Sequence, residues 1–329
     1  MSDLVHTPSL ASKRLLEYVE SIRKEEDRGG LRIGVSYLDN YLAPAVGGKL
    51  WVIMGRPGMG KSSLLAHIAR RDGLRAAREG GPYPVVITAE MAVEEYMLRE
   101  LSHFSEIDSF RIRRNELDDG EWEVIRSIAE DMPKACSVIY VGHSLTGSSR
   151  RRRITVNSMK EAIDSVMERY RVDISSIYID YLQRIGLDRN FRDRRIEMSE
   201  IVERCKDMAL EYGVPVFLGV QAGRSVDLRN PPVPMLGDGK ETGNIEETAD
   251  TVLGVFRPAR VYDVGDFIPG TDPPLVCEEH LFFINVLKQR DGMAGRGFWV
   301  YFDMSIAKLS DLELIRMGGD EDGVDEQVG

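Results

Sequence analysis

Cysteine and histidine are scarce in this chain, and long apolar runs are missing. The three cysteines, Cys136, Cys205 and Cys277, are scattered and odd in number. That excludes a disulfide framework or a cysteine zinc site and points to buried thiols in a reducing compartment. The five histidines are equally dispersed, so no histidine metal cluster is expected. No apolar stretch approaches the ~20 residues of a membrane span. The start, Met1-Ser2-Asp3-Leu4-Val5-His6, lacks the charged and apolar regions of a secretory signal. A positive charge balance is missing too. The net charge of −11 argues against a protein that coats duplex DNA over its whole surface, though not against a local basic groove or lumen. Part of that acidity lies in Gly319-Asp320-Glu321-Asp322-Gly323-Val324-Asp325-Glu326, a tail (313–329) that reads as disordered and solvating.

What is present is concentrated at one point. Gly55-Arg56-Pro57-Gly58-Met59-Gly60-Lys61-Ser62 has the spacing of a phosphate-binding P-loop. The apolar run Leu50-Trp51-Val52-Ile53-Met54 before it reads as a buried strand, and Leu64, Leu65 and Ile68 after it open a helix. Strand, glycine loop and helix N-terminus surround one point with backbone N–H groups and the positive end of a helix dipole. ATP phosphates fit there, held by residues 55–61 with Ser62 and Ser63. Lys61 would reach the β- and γ-phosphates and the Ser62 hydroxyl would ligate Mg²⁺.

From residue 31 to about 310, strand and helix patterns alternate. Strands are expected at 50–54, 85–88, 137–141, 176–180, 214–220, 250–256, 281–287 and 297–303. Helices are expected at 158–170 and 195–212. This predicts an α/β fold with a mostly parallel central sheet flanked by helices. The last two strands have no helix between them and should form a terminal antiparallel hairpin. Residues 8–27 read as a separate amphipathic helix, with Leu15, Tyr18, Val19 and Ile22 in one stripe. That stripe packs either on its own domain or on a neighbouring subunit. The Pro- and Asp-containing loop at 257–280 carries no assigned chemistry.

Four strand ends add to the P-loop. Ile177-Tyr178-Ile179-Asp180 is an apolar run closed by a carboxylate, the arrangement in which Asp180 orients Mg²⁺. Glu90 ends the strand at 85–88 and is placed to activate water; the alternative is that it caps a helix near Val93. Gln221 ends another strand and can sense the γ-phosphate, or serve as a structural amide. Lys288-Gln289-Arg290 either faces solvent or supplies an arginine finger. A finger acting on a neighbour's nucleotide requires an oligomer.

Together these strings resemble the RecA-like ATPase domain of the DnaB-type replicative helicases. The resemblance spans residues 31–310. It rests on Gly34-Val35-Ser36-Tyr37-Leu38-Asp39, the P-loop, Ala89-Glu90-Met91, Ile179-Asp180-Tyr181-Leu182-Gln183 and Gly213-Val214-Pro215-Val216. It continues through Gln221 with Arg224, then Lys240-Glu241-Thr242-Gly243-Asn244-Ile245-Glu246 with Ala249-Asp250, and Lys288-Gln289-Arg290-Asp291-Gly292. It implies a hexameric ring hydrolysing ATP between subunits, with channel loops holding single-stranded DNA by its phosphates. Lys240, Glu241, Thr242 and Gly243 resemble the channel loop, where small residues and one charge suit contacts that carry no sequence information. Arg189, Arg192, Arg194 and Arg195 are a second candidate for DNA contact; the run Arg150 to Arg153 reads as a solvated loop. The family's N-terminal helical domain has no counterpart ahead of residues 8–27, which resemble its linker helix, so a primase or loader partner is left open. Gly239 and Lys240 also depart from the usual Leu and Arg. The short form suggests a phage or mobile-element protein acting in a bacterial cytoplasm. Two rivals stay open: a recombination ATPase forming filaments, and an ATP-switched loader or adaptor that does not unwind.

Overall fold

A computed structural model describes residues 7–27, 31–146, 153–189, 191–239 and 244–312. The amphipathic stretch forms α1 (Pro8–Asp27). Its Leu15, Leu16 and Val19 are exposed, so these three apolar side chains do not pack on the chain's own core. The side chains of Tyr18 and Ile22 lie outside the description. A short turn of helix, α2 (Ser36–Asp39), precedes the sheet.

The sheet has nine strands in the order β11-β10-β9-β6-β1-β5-β4-β2-β3. Its parallel half is β1 (Leu50–Gly55), β2 (Tyr83–Thr88), β3 (Ile139–Gly142), β4 (Ile174–Asp180), β5 (Val216–Gln221) and β6 (Thr251–Phe256). Every residue of β1 is buried, as expected of a central strand covered on both faces. Alternate residues divide between two cores. Leu50, Val52 and Met54 join Met159, Ile163, Ile201 and Cys205 on one face. Trp51 and Ile53 join Leu64, Leu65 and Ile68 on the other. The helices that cover these faces include α3 (Lys61–Glu79), α7 (Val156–Tyr170) and α8 (Arg194–Tyr212).

The expected terminal hairpin is present: β9 (Leu281–Gln289) and β10 (Arg296–Asp303) pair antiparallel. β9 also pairs antiparallel with β6, and a further strand, β11 (Lys308–Ser310), extends the edge. Between β2 and β3 lie α4 (Val93–Ser105), α5 (Ser109–Arg114) and α6 (Asp119–Ala135). The 257–280 loop contains a two-stranded ribbon, β7 (Phe267–Ile268) with β8 (Leu275–Val276). A four-residue helix, α9 (Ile245–Thr248), leads into β6. The three cysteines are buried free thiols. Among the described residues no helix is long and apolar enough to cross a membrane. Residues 313–329 and Lys240, Glu241, Thr242 and Gly243 lie outside the described residues.

Two histidines tie this fold to pH. His67 Nε2 donates to Ile33 O at 2.9 Å, and burial, helped by Arg70, holds its pKa well below the ordinary 6.5. His103 Nδ1 faces Ile306 O at 3.2 Å; burial, then Arg70, lowers its pKa to about 4. Both are neutral when folded and protonate more readily when unfolded. Between the two pKa values the unfolded chain binds more protons, so stability falls with falling pH. For His103 the loss is absent above about pH 6.5 and complete below about 4. Melting temperatures across this range are expected to fall less steeply for His103→Gln than for the parent chain. Parallel curves would remove His103 from the effect.

Candidate functional site

The parallel strands end together on one edge. Gly55 pairs with Gln221 across β1 and β5, Ile179 with Leu218 across β4 and β5, and Thr88 with Asp180 across β2 and β4. The P-loop, Gln221, Asp180 and the segment bearing Glu90 therefore leave the sheet side by side. Ligands in open α/β sheets bind at this carboxyl edge.

The loop follows β1 into α3, whose N-cap is Gly60 at φ 86°. A side chain there would enter Met304 Cε at 2.6 Å and Phe282 Cε2 at 2.9 Å, so only glycine fits both the conformation and the space. Lys61 is buried, and its Nζ donates to Arg56 O at 2.9 Å. Burial lowers the Lys61 pKa to about 8, opposed by the Asp180 and Glu90 carboxylates. An ammonium so poorly solvated has much to gain from phosphate oxygens. Ser62 Oγ donates to Asp180 Oδ1 at 3.0 Å. Asp180 is itself buried, and burial raises its pKa against the pull of Ser62, Arg99 and Lys61. A hydroxyl beside a carboxylate that burial leaves short of counter-charge suits Mg²⁺, which is commonly held by one or two carboxylates plus substrate phosphates. Among the described residues there is no separate cluster of three or more metal-ligating groups.

Glu90 is not a helix cap. The capping carboxylate of α4 is Glu95, which accepts from Ala92 N at 3.0 Å. Glu90 instead accepts from Arg184 Nη2 at 2.9 Å. Gln221 is framed by Gln183, whose Oε1 accepts from Gln221 N at 3.1 Å and whose Nε2 donates to Gln221 O at 3.3 Å. Gln183 and Arg184 stand on the turn Leu182–Arg184 just after Asp180. One turn thus reaches both Glu90 and the end of β5.

The Arg56 guanidinium does not face the phosphate cradle. It makes a bidentate pair with Asp227, Nε to Oδ1 at 2.8 Å and Nη2 to Oδ2 at 2.7 Å, and donates to Ala222 O at 3.1 Å. Arg56 can therefore contribute to phosphate binding only through its backbone. A different cation borders the loop: Arg260, on the turn Pro258–Arg260 after β6, passes 3.4 Å from where a Gly58 Cβ would stand. Arg184, Gln183, Asp227 and Arg260 had no assigned role in the sequence reading.

Lys288 and Arg290 lie at the opposite edge. Lys288 Nζ donates to Glu246 O at 2.5 Å and Ala249 O at 2.6 Å. Arg290 Nη2 donates to Glu247 O at 2.5 Å, and Nη1 reaches Asp250 Oδ1 at 3.3 Å. Asp250 immediately precedes β6, and its Oδ2 accepts from the N–H of Leu50, the first residue of β1, at 2.8 Å. The six residues of β1 separate that edge from the P-loop by about 17–20 Å at the usual rise. Neither cation can serve the nucleotide of its own chain.

The basic segment at 189–195 is partly committed within the chain. Arg189 pairs with Glu200. Arg194 donates to Glu197 at 2.5 Å and to Gln183 O at 2.7 Å, which fixes the start of α8. Arg192 and Arg195 are exposed. Of the run at 150–153, Arg153 bonds Ile185 O and Glu197, each at 3.0 Å; Arg150, Arg151 and Arg152 lie outside the described residues.

With this geometry in hand, comparison with known proteins gives one family. The DnaB-like helicase C-terminal domain matches residues 30–311. The chain belongs to that family. Its curated relatives include the replicative DNA helicases DnaB of Helicobacter pylori, 26% identical over 74% of this chain and 48% of the relative. Those of Buchnera aphidicola are 28% identical over 86% and 57%, and of Rickettsia conorii 26% over 92% and 61%. The chain thus spans about half to three-fifths of these relatives. Among solved structures, an ATPase domain superposes with a TM-score of 0.71 at 20% identity, over 90% of this chain and 98% of that one. A DnaB-like replicative helicase studied with primase gives 0.72 at 19%, over 90% and 66%. The DnaB-like fold accounts for the six parallel strands and for the phosphate loop at their carboxyl edge.

Proposed function

We propose that this DnaB-like chain is an ATP-hydrolysing motor that moves on single-stranded DNA as a ring, working as a replicative helicase in a bacterial cytoplasm. The reading is carried by the division of the site between two edges of the sheet. Lys61, Ser62, Asp180, Glu90 and Gln221 gather at one edge, while Lys288 and Arg290 lie at the other. A second subunit packed head to tail brings one set against the other. The exposed apolar side chains of α1 supply a second contact for that neighbour.

The roles follow from chemistry. Backbone N–H groups of residues 55–61, Pro57 excepted because it has none, and the start of α3 cradle the phosphates, and Lys61 adds charge. Ser62 and Asp180 would hold Mg²⁺, which screens the phosphate charge when bound. Glu90 takes the proton of the attacking water, after its link to Arg184 yields or reorients. Gln221 registers the γ-phosphate, and a neighbour's Arg290, with Lys288, balances charge as the phosphoryl group leaves. Arg192, Arg195 and the segment Lys240 to Gly243 are the candidates for strand phosphates. The sequence-independent character of such contacts suits a translocating motor.

The test is mass determination with ATP and a short oligonucleotide, followed by strand displacement on a forked duplex. A closed ring that displaces strands is expected. Open filaments on DNA would instead favour the recombination ATPase, and DNA binding without displacement the loader or adaptor.

A further inference from the structure

The loop after β5 is tied to the P-loop by a contact that catalysis as described does not use. Arg56 joins the two through its carbonyl and its guanidinium. Its carbonyl accepts from Lys61 Nζ at 2.9 Å. Its guanidinium grips Asp227 through two parallel hydrogen bonds, of 2.8 and 2.7 Å, and reaches Ala222 O at 3.1 Å. An ammonium has three donors, so Lys61 can keep Arg56 O while its others turn to phosphate. Any shift of Lys61 with the phosphates is then felt by Arg56.

Beyond Asp227 the links continue. Ala222 forms a bridge with Gly239, and Gly223 N donates to Asp238 O at 2.8 Å. Asp238 in turn pairs with Arg229, with Nη2 to Oδ1 at 2.7 Å. The segment 222–239 is thus closed on itself, hung from Gln221 at one end and held by Arg56 at its first turn. Its far end leads to residue 240, where the candidate strand contacts begin. The Arg56 side chain is 15% exposed and that of Asp227 50%. A planar fork on a carboxylate is directional in a way that a lysine contact is not.

We propose that the Arg56–Asp227 pair is a latch that couples the phosphate loop to the 222–239 segment, so that DNA binding sets the hydrolysis rate through it. Asp227 is a positioning residue: it touches neither nucleotide nor metal. The inference rests on the reading of this chain as a DNA-stimulated ATPase.

The experiment measures ATP turnover of the full chain with and without a single-stranded oligonucleotide. The parent chain is expected to be stimulated. Asp227→Asn is expected to keep the DNA-free rate and to lose about fivefold or more of the stimulation ratio, the lower range of coupling between two sites. Asp227→Glu, which restores the charge, is expected to regain most of it. In an Arg56→Gln background, Asp227→Asn should change the ratio no further, since residues acting through one contact are not additive. Stimulation of Asp227→Asn equal to the parent would overturn the latch alone. So would a DNA-free rate that falls in the same proportion with a lowered melting temperature, the mark of a merely structural pair. A parent chain indifferent to DNA would overturn the motor reading and the latch with it.

Discussion

Glu90→Gln is expected to bind ATP as the parent does and to turn it over about 10²–10⁴ times more slowly, the usual contribution of a general base. The substitution is conservative where it matters for structure. Glu90 is half-exposed, at 42%, and its Oε1 accepts from Arg184 at 2.9 Å. The glutamine carbonyl can accept the same bond. The strand beneath is held independently, through Ala89 N donating to Asp180 O at 2.9 Å and through the β2–β4 ladder. Lys61 and Ser62, the proposed phosphate and Mg²⁺ ligands, stand on α3 and are untouched. What the change removes is a proton acceptor and one negative charge near Lys61. That charge helps keep Lys61 protonated, but the negative phosphates themselves favour the charged ammonium once bound, so nucleotide binding is expected to survive. Phosphate release in steady state, paired with titration of a fluorescent nucleotide, separates the two quantities. Retained hydrolysis would deny Glu90 its role; lost binding would make it a structural residue.

The parts of this site that were legible in the sequence are those whose chemistry is local. The P-loop could be read because its glycines, its lysine and its flanking strand and helix are contiguous. Asp180 stood out because a carboxylate closing the buried run Ile177-Tyr178-Ile179 is rare enough to need a reason. Most of the sheet could be read because its central strands carry apolar runs such as Leu50-Trp51-Val52-Ile53-Met54; β11, three residues long, is too short to register. Contacts between loops were not legible. Arg184 meets Glu90 across 94 residues and Arg56 meets Asp227 across 171. Nothing in the period of the intervening chain encodes that meeting, and a charged loop residue looks solvated until its partner is placed. The short ribbon in the 257–280 loop has two residues per strand, too few for alternation to register. The stripe on α1 could be read because it is periodic, but its partner could not, since Leu15, Leu16 and Val19 are exposed on the single chain.

Arg290→Ala is expected to lower ATP turnover by about 10³–10⁵, the range for loss of an arginine finger, and to poison mixed assemblies. The alternative is that Arg290 matters only for stability, and its contacts argue otherwise. It is 46% exposed and its link to Asp250 is 3.3 Å long, an ion pair of a kind worth about 1 kcal/mol or less; its shorter bond, to Glu247 O at 2.5 Å, ends on a backbone carbonyl that water can reach when the side chain is gone. Asp250 keeps its stronger partners when Arg290 is gone, Lys206 Nζ at 2.6 Å and Leu50 N at 2.8 Å. The fold should therefore survive, and a melting curve close to that of the parent checks this directly. Because β1 separates Arg290 from its own P-loop, a variant subunit damages the site of its neighbour and not its own. Equal mixtures of Arg290→Ala and parent subunits should then fall well below half of parent activity if sites fire in turn around a ring. A complementary mixture gives the geometry a sharper test. Subunits carrying Lys61→Ala have a dead loop but an intact finger, and subunits carrying Arg290→Ala have the reverse. Two inactive variants that regain some turnover on mixing place the finger across the seam. Activity strictly proportional to the parent fraction, with no recovery between the two variants, would put each site within one chain and leave Arg290 at the edge of the sheet without a catalytic part.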